Sequence, residues 1–347
     1  MPAAFLTYDI HPTPSGEKVP GGCAWYRCTL PAHVTGSAWG IPAWDARRGF
    51  GVRLSDSQAR FGFDTVVLKL LMHASICTEI EQAKAAGQRV IIDVDDLYEA
   101  IPEGNVARWE TSAERARNRN REHLAASLRL ADTLTVSTPF LRDYYSWHPD
   151  VRLVRNAIMP EVFERKRPRR DRPVVGFVGA VPWKHGDLDQ LSEWLPGFLV
   201  EHDLLFHHSG HVPDYQSFVD AVGLPPERVS TYPTVQMHQY PFLFEPIDIG
   251  LAPLALNDFN RAKSNVKGLE YAAAGVPFVA SPTPEYEHLA ESGVGRVAGS
   301  VNEWIMQATE LLDYRNRKRE SAINAATVGR DWCIGNRAQD WREVLAG

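Results

Sequence analysis

Two short segments constrain the fold more than anything else in the chain. Residues 65–71 read TVVLKLL and residues 89–94 read RVIIDV. Neither alternates polar with apolar residues, so neither suits a sheet with one wet face. Near-continuous Val, Ile and Leu marks strands buried on both sides, as in parallel sheets flanked by helices. Between them, ASICTEIEQAKAAG is helical in pattern and stops at Gly87. Further strands are expected at residues 4–8, 133–137 and 152–155. A second series follows at 174–178, 204–208, 229–232, 247–252 and 276–280. Strands alternating with helices predict an α/β architecture.

The chain of 347 residues has room for about two domains. The segment from Glu161 to Arg172 carries six basic residues against three acidic and reads as an exposed linker. We therefore expect a first Rossmann-like domain over residues 1–160, a linker over 161–172 and a second Rossmann-like domain over 173–320. The closing stretch, 321–347, is expected to be a helix returning to the first domain. Trp332 and Trp341 would then serve in packing. Two doubly wound sheets in tandem predict a cleft at the carboxyl ends of their strands.

A net charge of −6 argues against a dedicated nucleic-acid binder. No apolar run is long enough to span a bilayer, and the first residues lack a signal-peptide pattern, so a cytoplasmic location is expected. Cys23, Cys28, Cys77 and Cys333 have no zinc-site spacing and are expected to be reduced thiols. The segment FHHSGH places His207 and His208 on opposite faces of a strand, which disfavours a metal site.

Four segments carry chemistry. KSNVKGLEYAAAG, from Lys263, is a polar loop entering a helix, with Ser264 and Asn265 suited to its N-cap. A helix start favours a phosphate, and Lys263 and Lys267 add charge. Glu270, within the first two turns, can accept hydrogen bonds from a ribose diol. In PVVGFVGAVPWKHGDL, Gly176 and Gly179 at a strand end allow close backbone approach, and Lys184 adds charge. The segment is not GxGxxG, so a dinucleotide fingerprint is absent. GGCAWYRC places Gly21 and Gly22 before a helix carrying Arg27. IIDVDDLYEAIP puts Asp93, Asp95 and Asp96 at a strand end, where they can hold a cation or an acceptor hydroxyl. Each segment also has a plainer reading, as a capped helix, a turn or a strand terminus.

Taken together, GFVG…WKHGDL, DIGLAPL, KSNVKGLEYAAAGVPFVAS and PEYEHL resemble the donor domain of GT-B glycosyltransferases of the retaining Glu-x7-Glu type. In the first half, the Gly-rich loop, VDDL, ADTLTVSTPFL and VRNAI follow the same order. The GCAWYR and DVDDLYEAIP versions are similar to glycosyltransferase-like proteins of phage and bacterial genomes. The resemblance implies that Glu270 holds the donor ribose. It implies that Lys184 and the backbone at Ser264 and Asn265 hold the diphosphate. Ser137 and Asn156 match polar cleft positions, Glu285 lies on the base or sugar side, and Asp95 falls where many relatives carry a His. His208 is a candidate donor contact. Two positions depart from the pattern. Ala262 stands where the first Glu belongs, with Asp258, Asn260 or Lys263 as substitutes. The usual Arg before the diphosphate Lys is replaced within AVPW, with Arg261 or Lys263 as substitutes.

The implied activity is transfer of a sugar from a nucleotide-sugar, UDP- or GDP-linked, to an acceptor hydroxyl, without a metal or other cofactor. Asp95 or Asp96 would position the acceptor, either a glycan or a hydroxymethylated DNA base. Six Arg against three Glu over residues 108–129 offer a basic rim for a polyanion, or simply a solvated helix face. The alternatives are a sugar-nucleotide 2-epimerase and a non-catalytic nucleic-acid or glycan binder on the same fold.

Overall fold

A computed structural model describes residues 2–12, 18–55, 57–103, 105, 119–164, 170, 172–179, 186–210, 219–220, 222–233 and 235–347. Two six-stranded parallel sheets organise them. In the first sheet the strands are β1 (Ala3–Thr7), β2 (Ala38–Gly40), β3 (Thr65–Lys69), β4 (Arg89–Val94), β5 (Thr133–Val136) and β6 (Val151–Leu153), in the order β6-β5-β4-β3-β1-β2. In the second they are β7 (Val174–Val178), β8 (Leu205–Ser209), β9 (Val229–Tyr232), β10 (Ile249–Ala252), β11 (Phe278–Ala280) and β12 (Arg296–Val297). Their order, β9-β8-β7-β10-β11-β12, is that of a mononucleotide-binding Rossmann sheet.

The apolar runs are buried on both faces. Along β3, Val66 and Leu68 enter one core while Val67 enters the core on the opposite face. β4 repeats the pattern, with Val90 and Ile92 on one side and Ile91 on the other. The period of two along a strand produces this division. β3 ends at Lys69, two residues earlier than the apolar run suggested, because Leu70 takes a left-handed φ of 56°. The edge strands β2 and β12 have only three and two residues, too short for their sequence to announce them.

The cores are not segregated by domain. Phe259 and Ala262, from the second half of the chain, lie in the same cluster as Leu97, Tyr98 and Ile101. Trp341 and Val344, on the helix Ala338–Ala346, join Phe5, Val67 and Ile91. Arg89 reinforces that seat by donating to the Val344 carbonyl at 2.6 Å. Trp332 packs in a third cluster with Ile158, and Ile158 exchanges backbone hydrogen bonds with Trp332 and Ile334. No helix among the described residues is long and apolar enough to cross a membrane.

Candidate functional site

The carboxyl ends of the two sheets face one another across a cleft, and the contacts there begin with one turn of helix. Gly22–Ala24 and Leu30–Thr35 are α-helical, but the residues between them, Trp25–Thr29, form a π turn. Such widened turns are rare and concentrate at functional sites. This one sends two consecutive side chains to different destinations. Tyr26 crosses to the second domain, whereas Arg27 stays in the first.

Tyr26 Oη donates to Glu270 Oε1 at 2.7 Å. The other carboxylate oxygen, Oε2, accepts from Tyr240 Oη at 3.0 Å and from Lys267 Nζ at 2.7 Å. Lys267 Nζ also lies 2.5 Å from Tyr240 Oη. Glu270 is only 2% exposed, yet it lines a cavity of about 670 Å³. Val19, Pro20, Gly21, Gly22 and Tyr26 wall that cavity on one side, and Val235, Met237 and Tyr240 on the other. Burial beside the Glu270 carboxylate raises Tyr26 and Tyr240 well above the ordinary tyrosine range, so both remain hydrogen-bond donors.

Glu270 sits on the helix Val266–Ala273, whose N-cap is Asn265. The Asn265 side chain makes no capping hydrogen bond to its first turn. The Asn265 amide instead donates to the Glu285 carbonyl at 3.2 Å, and Ser264 Oγ accepts from Asn156 Nδ2 at 2.7 Å. The helix Pro284–Glu291, which follows β11, also begins without a side-chain cap. Two helix N-termini thus open at the strand ends of the second sheet, and each presents backbone N–H groups and a positive dipole end. Lys263 lies half-buried beside the first, its Nζ 4.3 Å from the Phe259 ring centroid.

The first domain contributes a buried charge cluster. Arg27 donates to both oxygens of Asp93, at 2.5 and 3.0 Å, and to the Val154 carbonyl at 2.6 Å. Its guanidinium lies 5.0 Å from the Trp341 ring centroid. Lys69 Nζ contacts Asp95 and lies 3.8 Å from Asp93. Thr135 and Tyr98 complete the set, donating to Asp93 at 2.7 Å and to Asp95 at 2.5 Å. Two cations and two carboxylates balance, as buried charges require. Burial pushes the Asp95 carboxyl up, but the Lys69 ammonium and the hydrogen bonds from Lys69 and Tyr98 outweigh it and hold the group below the usual carboxylate range.

Several sequence expectations need correction. Arg27 is completely buried, so it braces the cleft from within and does not line it. Ser137 is equally buried, with its hydroxyl on the Asp95 carbonyl at 3.0 Å. His208 is covered, stacked on Phe177, with Nε2 3.0 Å from the Gly179 carbonyl. Asn156 joins Arg27 to Ser264, bridging the domains. Lys267 neutralises Glu270, where a phosphate contact was expected. Glu285 is paired with Arg155 of the first domain; burial raises its carboxyl, against the pull of that guanidinium. Ala262 is sealed in the seam between domains, its carbonyl accepting from Thr138 Oγ1 at 2.9 Å.

Gly22 lines the cavity, and Asp96 is half-buried at the end of β4. Gly179 lies so close to Gly210 that a Cβ on Gly210 would meet the Gly179 carbonyl at 2.4 Å. Lys184, His211, the basic stretch 108–118 and half of the 161–172 linker (165–169 and 171) lie outside the described residues. Sequence reasoning passed over Tyr26, Tyr240, Lys69 and Arg155. Only Lys69 left a signal, a cation inside an otherwise apolar strand.

No protein-family model and no curated protein matches the chain. Solved structures do. HepE of Anabaena, in complex with UDP-glucose, is 15% identical with a TM-score of 0.65, over 100% of this chain and 99% of that one. The sucrose-phosphate synthase of Thermosynechococcus elongatus is 13% identical with a TM-score of 0.64, over 99% of each chain. A glycosyltransferase of Rickettsia africae is 10% identical with a TM-score of 0.58, over 82% of this chain and 76% of that one. At such identities the likeness is one of fold: two Rossmann-like domains facing a cleft, the GT-B architecture.

Proposed function

We propose that the chain is a glycosyltransferase that moves a sugar from a nucleoside diphosphate to an acceptor hydroxyl, with retention and without a metal. The carrying observation is the pairing of a buried carboxylate, Glu270, with an uncapped N-terminus on the same helix, both at the cleft. A ribose diol needs the carboxylate, and a diphosphate needs the helix start. The HepE complexes with UDP and UDP-glucose favour a UDP-sugar donor.

In this reading, Glu270 accepts from the ribose. The backbone at Ser264, Asn265 and Val266 and the charge of Lys263 and Lys184 stabilise the departing diphosphate, where negative charge develops. The acceptor oxygen bonds to the anomeric carbon as the bond from that carbon to the phosphate oxygen breaks. The acceptor proton passes to the leaving phosphate. Asp95 is too weak a base to take it, being held ionised by Lys69; it orients the acceptor hydroxyl, with Asp96 beside it. The acceptor is a glycan or a hydroxymethylated DNA base, and the reaction takes place in the cytoplasm.

Thermal-shift titration with UDP, GDP, ADP and their sugar conjugates tests the assignment. A ligand at about 100 times its Kd stabilises the fold by ~2.7 kcal/mol. One nucleotide should shift the wild type, and Glu270→Ala should weaken that nucleotide by about 10- to 100-fold, the worth of hydrogen bonds to a charged group. No shift with any of them would leave the non-catalytic binder as the reading to pursue.

A further inference from the structure

We propose that Tyr26 is the residue that sets how tightly the ribose is held, because its hydroxyl occupies the face of Glu270 that a ribose diol would take. This rests on the donor reading given above and adds a competitor from the opposite domain.

A carboxylate offers about four acceptor sites. Among the described residues, three on Glu270 already have donors: Tyr26 on Oε1, and Tyr240 and Lys267 on Oε2. Tyr240 and Lys267 belong to the second domain and bond to one another as well, so they form a fixed support. Tyr26 is the outlier. It comes from the π turn of the first domain, and it borders the cavity together with Glu270. One vacant site on Glu270 accepts one hydroxyl. A diol that donates twice has to displace Tyr26. Burial and the neighbouring carboxylate keep Tyr26 protonated, so it competes as a donor throughout the physiological range.

The cavity has the character this role needs. Among the described residues its one carboxylate is Glu270; Val19, Pro20, Val235 and Met237 give it apolar walls, and His11, Gln236 and Gln239 add uncharged or weakly basic polar groups. It suits the uncharged nucleoside half of a donor. Ribose binding then exchanges an interdomain hydrogen bond for a ligand bond, and part of the binding energy goes into releasing Tyr26.

The test compares wild type with Tyr26→Phe, which keeps the ring and deletes the hydroxyl. Isothermal titration uses UDP, GDP and their 2′,3′-dideoxy counterparts as probes, and a melting curve of each free protein checks folding. The variant is expected to bind the ribose form of the preferred diphosphate about tenfold more tightly, with the dideoxy form unchanged. A parallel change for both forms, or weaker binding of the ribose form, overturns the role of Tyr26 and leaves the donor reading intact. A wild type that binds neither diphosphate overturns the donor reading, and this proposal with it.

Discussion

At the scale of single residues, the cleft is governed by charges that have partners. Asp93 is fully buried and serves Arg27, Lys69 and Thr135 together. Asp93→Ala leaves Arg27 without a carboxylate and Lys69 with Asp95 alone. Breaking a buried pair this way costs about 3–5 kcal/mol, because the orphaned charge cannot be resolvated. Urea denaturation should show that loss, well beyond the effect of an average substitution. Much of this cluster could be foreseen: the DVDD strand end and the Arg of GGCAWYRC were both conspicuous in the sequence. Their roles were not. Sequence shows that Arg27 follows two glycines; it does not show that the next strand ends will bury it. Tyr26 was less visible still, since its partner Glu270 lies in the other domain and no local spacing connects them.

At the scale of elements, β8 carries a pH-sensitive feature. His207 and His208 alternate along it, and burial lowers both to about 4. Both are neutral in the folded protein at pH 6, whereas their unfolded counterparts already take up protons there. The unfolded state therefore binds more protons between about 6.5 and 4, and stability falls as pH drops through that window. One such histidine accounts for a loss on the order of 3 kcal/mol across it. His208→Gln, which keeps a donor for the Gly179 carbonyl but cannot titrate, should lose correspondingly less. Urea midpoints at pH 7 and pH 4.5 measure the difference. The strands themselves were the most legible part of the chain. Interior strands such as β3 and β4 declare themselves because both faces are apolar, whereas the edge strands β2 and β12 have too few residues to show a period. The helix Val266–Ala273 was legible as well, its loop, cap and stop lying within one short segment, although its cap residue turns away to bond the Glu285 carbonyl.

At the scale of the whole molecule, the two sheets are tied by more than a linker. Tyr26 to Glu270, Arg155 to Glu285, Asn156 to Ser264 and Thr138 to the Ala262 carbonyl all join the halves. Phe259 and Ala262 enter the first domain's core, and Trp341 seals its other face against Phe5. We expect calorimetry to give one cooperative transition, not two. Trp341→Ala should destabilise that transition by about 3–5 kcal/mol, the range for a buried aromatic. Two resolved transitions, with only one moved by the substitution, would show that the domains unfold independently.

The seat of Trp341 on Phe5 also dictates an order of events during synthesis. β1 leaves the ribosome before the second domain is made, but the side chain that covers one of its faces follows only after that domain. The first domain therefore waits, with part of its core open, while the entire second domain is made. A growing chain of this kind is exposed to chaperones and proteases for as long as the second domain takes to be made, and a frameshift within the helix Ala338–Ala346 would injure the domain that was begun first.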